Sequence, residues 1–127
     1  MNKYAQATLL AVERVTKDGT VSPNEAWEDA TMKIFGPGPS QKKGCPKGAF
    51  LGLCEEGLIK GIAEGNYSAG EKNKSYAIRA ADLLKYIDGD EISRDKIWNF
   101  ATQGSGIRQN SQLDIVLALK ENDLLNV

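Results

Sequence analysis

Two stretches 71 residues apart share a pattern that fits the start of a buried helix and little else. Val21-Ser22-Pro23-Asn24, followed by Trp27, Ala30 and Thr31, returns as Ile92-Ser93-Arg94-Asp95, followed by Trp98, Ala101 and Thr102. In each, a serine stands where a helix needs an acceptor for its first free N–H groups, and the tryptophan and alanine share one face. Pro23 suits the first helical position and Glu25 completes a capping box. A second match lies at an offset of 66: Phe50-Leu51-Gly52-Leu53-Cys54-Glu55 with Leu58-Ile59 against Val116-Leu117-Ala118-Leu119-Lys120-Glu121 with Leu124-Leu125. Tyr4-Ala5 and Leu9-Leu10 likewise echo Tyr76-Ala77 and Leu83-Leu84. Leucines at helical spacing match easily by chance, but a capping serine, a tryptophan and a threonine in common register do not. The pattern predicts an all-α chain of about six helices, arranged as two related three-helix units (about 4–61 and 76–127) around a pseudo-two-fold axis. Residues 62–75 are the expected linker. Each unit is too small to bury an adequate core alone, so 1–127 is read as one domain.

The remaining helices follow from periodicity and stop signals. Tyr4 to Lys17 carries an apolar face of Ala5, Leu9, Val12 and Val15 and ends at Asp18-Gly19. The second helix turns Trp27, Ala30, Thr31 and Ile34 inward and stops at Gly36. Gly36 to Gly44 holds two prolines among glycines and is read as irregular. In the third helix, Pro46 at the first position makes Cys45 the cap; the helix runs to Glu56, and Gly57 stops it with Leu58 folding back on Leu53. Ser68 or Asn73 is expected to start the next helix, Tyr76 to Ile87, ended by Gly89. Ser93 caps another, with Ile92 and Ile97 placed as a staple, and Gly104-Ser105-Gly106 breaks it. Asn110 or Ser111 caps the last helix, which holds Leu113, Val116, Leu117 and Leu124.

Composition narrows the chemistry. A chain of 127 residues that is 41% hydrophobic and 26% charged is ordinary for a soluble domain, and no apolar run approaches a membrane span or the core of a signal peptide. A cytoplasmic location is therefore expected. Net charge is −1, so no global positive field recruits nucleic acid. There is no histidine, which removes Cys-His and Ser-His pairs and histidine metal ligands, and two cysteines cannot close a zinc site. Cys45 and Cys54 are nine residues apart on one expected helix and cannot bond while it is intact, so both thiols are read as free. No cofactor and no metal are expected.

Charge is uneven, however. Gly36 to Arg79 holds seven basic residues against four acidic ones. The candidate site lies here, at the entrance to the third helix: Lys42, Lys43, Gly44, Cys45, Lys47 and Gly48. Free backbone N–H groups beside lysines, with glycines permitting close approach, suit phosphate or carboxylate. The GxxxxGK[ST] order of a phosphate-binding loop is missing. A solvated basic loop accounts for the same residues. Cys45 is the one catalytic candidate, because a thiol at a helix start near lysines is activated; with no base available, a capping role is the simpler reading. Cys54 reads as core, Glu55 and Glu56 as solvated. Gly48 and Gly52, four apart, let a neighbouring segment approach the helix backbone.

Phe50-Leu51-x-Leu53-x-Glu55-x-Gly57-Leu58-Ile59 resembles the recognition helix and exit of winged-helix DNA-binding domains. That likeness implies a hairpin wing over Ile62 to Ser75 whose lysines reach phosphate. It departs from the pattern in its long preceding turn, its apolar helix and its net charge. The wider run GCPKGAFLGLCEEGLIKG is similar to a motif of small uncharacterised bacterial proteins, which implies no particular activity. The resulting expectation is a non-catalytic binding or regulatory protein. Its partner would be an anionic ligand, a protein or a nucleic-acid backbone, and a homodimer is open. The alternatives are a winged-helix-like nucleic-acid binder and a thiol enzyme using Cys45.

Overall fold

A computed structural model describes residues 2–67 and 70–126. Among them the chain is all-α, with six helices of eight residues or more: α1 (Lys3–Lys17), α2 (Pro23–Phe35), α4 (Gly44–Glu55), α5 (Glu71–Tyr86), α6 (Arg94–Ala101) and α7 (Gln112–Glu121). A single turn, α3 (Pro39–Lys42), interrupts the connection between α2 and α4. It stands in the stretch expected to be irregular, with Gly38 ahead of it and Pro39 opening it. No described helix is long and apolar enough to cross a membrane.

Local signals set most helix ends. The Ser22 hydroxyl accepts from the Glu25 N–H at 3.1 Å and that of Ser93 from the Lys96 N–H at 3.3 Å, the expected caps of α2 and α6. Thr31 and Thr102 donate their hydroxyls to the carbonyls of Trp27 and Trp98 at 2.8 and 2.9 Å. At the end of α4, Gly57 adopts φ 68° and the Leu58 N–H reaches the Leu53 carbonyl at 3.0 Å. At the end of α7, Asp123 adopts φ 55° and the Leu124 N–H reaches the Leu119 carbonyl at 2.8 Å. Both are left-handed stops with a six-to-one hydrogen bond.

Several boundaries differ from expectation. α4 begins at Gly44, so Lys43 occupies the cap position and offers no side-chain bond; Cys45 is the second helical residue and Pro46 the third. Proline loses nothing anywhere in the first turn, whose N–H groups have no intrahelical partner, so it marks that turn without fixing its first residue. α5 begins at Glu71 behind Gly70, which shortens the linker; Asn73 lies inside the helix, and Ser68 falls outside the described residues. α7 ends at Glu121, leaving Leu124 beyond the turn, and its Ser111 cap makes no side-chain bond.

Packing places α4 at the centre. Pro46 and every residue from Gly48 to Cys54 are buried. With Trp27, Leu84, Ile97, Leu113, Ile115 and Leu119 they form one core, each large apolar side chain contributing about 1.5–3 kcal/mol. α5 lies against α4 so closely that a Cβ on Gly52 would sit 2.7 Å from the Lys74 Cα, and one on Gly48 would sit 2.9 Å from the Asn73 Cβ. The close approach expected at these glycines is therefore made by α5. α1 packs on α2 and also on α7, and α5 packs on α6 and also on α4. The exits of α4 and α7 run antiparallel through an isolated bridge between Ile59 and Leu125. There the Lys60 N–H donates to the Leu124 carbonyl and the Asn126 N–H to the Leu58 carbonyl, both at 2.8 Å.

The winged-helix likeness does not carry into three dimensions. α4 has its whole middle buried and offers no surface for reading bases, and the described part of the supposed wing, 62–67, pairs with no strand.

Candidate functional site at the α2–α4 connection

Glu28, on the polar face of α2, ties the connection together. One carboxylate oxygen accepts from the Lys47 ammonium at 2.7 Å, the other from the Gln41 amide at 2.8 Å. The same Gln41 nitrogen lies 3.2 Å from the Thr31 hydroxyl oxygen, and Gln41 is only 4% exposed. From the other side, the Tyr4 hydroxyl of α1 donates to the Ser40 carbonyl at 2.7 Å, with its ring 4.6 Å from that of Phe35. The Lys47 and Gln41 bonds hold the Glu28 carboxyl below the usual carboxylate range, and burial raises the Tyr4 hydroxyl. One turn of helix is too short to hold itself. These side-chain bonds hold α3 in place.

The six residues read from the sequence divide accordingly. Lys42 and Lys43 are exposed and make no ion pair among the described residues, and they stand beside Gly44 and a half-buried Cys45 at the opening of α4. Those four share one open surface. Lys47 is partly exposed, and its ammonium pairs with the Glu28 carboxylate at 2.7 Å. Gly48 is covered by Asn73, which removes it from any ligand surface. Glu28, Gln41 and Thr31 were not anticipated. The sequence offers no signal for them, since nothing in a 19-residue separation pairs Glu28 with Lys47.

Both cysteines are free, and burial pushes the Cys54 thiol far up, in keeping with a core residue. Glu55 and Glu56 are not simply solvated. The Lys74 ammonium lies 2.8 Å from Glu56 and 3.6 Å from Glu55, and the Glu56 hydrogen bond raises the lysine. No group of three or more metal-ligating side chains occurs among the described residues.

Clefts of about 300, 410 and 380 Å³ lie elsewhere: between α1 and α2, between the α5–α6 turn and α7, and beside Gly61–Ala63. None of the three is lined by a residue of the α2–α4 connection.

Residues 1–126 match the model of a family of unknown function (DUF6979). The chain belongs to that family. The match spans essentially the whole fold, so the α2–α4 connection and the helices that frame it all lie inside the DUF6979 region. No curated protein and no solved structure matches the chain.

Proposed function

We propose that this protein is a small binding or regulatory module without catalytic activity, and that it meets an anionic partner through Lys42 and Lys43 at the opening of α4. The observation that carries this reading is the contrast among its lysines. Lys47 is paired with Glu28, whereas Lys42 and Lys43 are exposed, have no ion-pair partner among the described residues, and follow a turn held by the bonds to Ser40 and Gln41. Beside them, the first N–H groups of α4 have no side-chain cap, and a helix start favours negative charge. Inorganic pyrophosphate is a suitable probe. Titrating it should shift the Gly44 and Cys45 amide resonances, and Lys42→Glu with Lys43→Glu should abolish the shift. Unmoved amides at millimolar pyrophosphate would end the reading. A short DNA duplex separates the nucleic-acid version, which requires affinity that falls steeply with salt. Faster alkylation of Cys45 than of Cys54 is expected from exposure alone, so a thiol-enzyme role needs turnover as well as labelling.

The domain reading belongs with this proposal: one domain made of two related three-helix units, the second starting with α5. Supporting it are the matched serine caps, the matched threonine bonds to Trp27 and Trp98, and the matched stops of α4 and α7. The Ile59–Leu125 bridge also joins positions that the 66-residue offset equates, and its two hydrogen bonds exchange under that offset. The aromatic neighbours differ: Trp27 stacks on Phe50 at 5.0 Å, and Trp98 meets Tyr76 edge-on at 5.5 Å.

A further inference from the structure

In the first half, the segment that leaves α4 bridges the end of that helix and the start of α2. The Gly65 N–H donates to the Glu55 carbonyl at 3.2 Å, and the Asn24 side-chain amide donates to the Tyr67 carbonyl at 3.0 Å. Ile62 is buried, and Tyr67 packs against the core. The second half repeats the walls of this seat. The turns joining α1 to α2 and α5 to α6 open with the same bond, from the Val21 N–H to the Asp18 carbonyl at 3.1 Å and from the Glu91 N–H to the Asp88 carbonyl at 2.9 Å. The offsets of 66 and 71 equate Glu55 with Glu121 and Asn24 with Asp95. What differs is the filling. Between the α5–α6 turn and α7 lies the cleft of about 410 Å³, lined by Leu117 where the first half has Leu51. Among the described residues no N–H reaches the Glu121 carbonyl, the counterpart of the acceptor that holds Gly65. Asp95, the counterpart of the donor Asn24, is exposed and when ionised only accepts. Asp88, Asp90 and Glu121 line the cleft against one ammonium, that of Lys120, while its other cation, Arg94, is paired with Asp114.

We propose that this cleft docks an extended segment of another protein, seated as Ile62–Tyr67 is seated in the first half and carrying a lysine or arginine. A main-chain N–H of that segment meets the Glu121 carbonyl and sets its register, and the cationic side chain meets Asp88, Asp90 and Glu121. The exchange of Asn24 for Asp95 turns a donor into an acceptor, so this seat selects an occupant richer in donors than the first half's own segment. The proposal rests on the matched bonds of the two halves and not on what Lys42 and Lys43 bind.

The probe is a capped peptide copying Ile62–Tyr67 with Glu64→Lys, titrated into the ¹⁵N-labelled full chain and followed by amide shifts. The amides of Gly89, Asp90, Glu121 and Asn122 should move. The same peptide with Glu64 retained should move them several-fold less at equal concentration. Asp90→Lys combined with Glu121→Lys, both at exposed positions, should reverse that preference. Unmoved amides at millimolar peptide, or an equal response of the wild type to the two peptides, would overturn the proposal. Shifts confined to Gly19–Val21 would overturn it as well, because the peptide would then only compete with the chain's own segment. Shifts at Gly89 and Glu121 that grow with protein concentration in the absence of peptide would place a second copy in the cleft and equally overturn it.

Discussion

After Thr31 the chain goes on for another helical turn, bends at Gly36 and makes a short turn pinned by Glu28 and Gln41; after Thr102 it leaves the helix at once and crosses back over Trp98. The helix entries before these points are capped alike, so the five residues by which the first half exceeds the second lie in a longer α2. The connection itself is no longer: Gly36–Lys43 is shorter than Thr102–Ser111. The five-residue difference between the 71- and 66-residue offsets therefore arises at the end of α2. A similar contrast separates α4 from α7. Where α4 carries Gly48 and Gly52 beneath α5, α7 carries Asp114 and Ala118 at the positions the 66-residue offset equates.

The widest difference between the halves should appear at that pair. Gly52→Ala drives a Cβ into the backbone of Lys74 and should cost about 3 kcal/mol by overpacking, whereas Ala118→Gly should cost the helix-propensity difference of about 1 kcal/mol and about 0.8 kcal/mol for its buried methyl. Urea denaturation of the two variants measures both, and equal costs would mean that the helices pack alike after all.

A smaller effect is expected at Glu28, which has no counterpart beside Trp98. Its carboxyl is lowered by Lys47 first and Gln41 second, so its contribution is present above its unfolded value of 4.5 and is lost as pH falls through the lower folded value. Because the pair is partly exposed, that contribution should be about 1 kcal/mol or less, and Glu28→Gln should remove it. The stability difference between wild type and Glu28→Gln should be constant from pH 7 to 5 and shrink below pH 4.5; a difference that instead grows on acidification would contradict the assigned role.

A comparable or smaller effect concerns the two left-handed stops. Asp123 holds φ 55° where Gly57 holds φ 68°, so Asp123→Gly should stabilise by a few tenths of a kcal/mol after losing the exposed ion pair with Lys60. Gly57→Ala should destabilise by about 1 kcal/mol. Thermal melts that rank the two variants the other way would show that the stops are held by different contacts.

Ser22, Ser93, Gly57 and the periodic apolar faces acted through neighbours a few residues away, so the sequence alone determined the all-α class, the two serine caps and the exit of α4. It also marked Lys42, Lys43, Gly44 and Cys45 as neighbours at a helix entrance. Tertiary structure decided the rest. Whether Lys47 is paired and whether Gly48 faces open space or a helix were settled by Glu28 on α2 and by Asn73 on α5. Those partners lie 19 and 25 residues from the groups they engage. Local propensity fixes where a helix can begin, but the free energies separating the possible starts are small, and contacts with distant segments are large enough to choose between them.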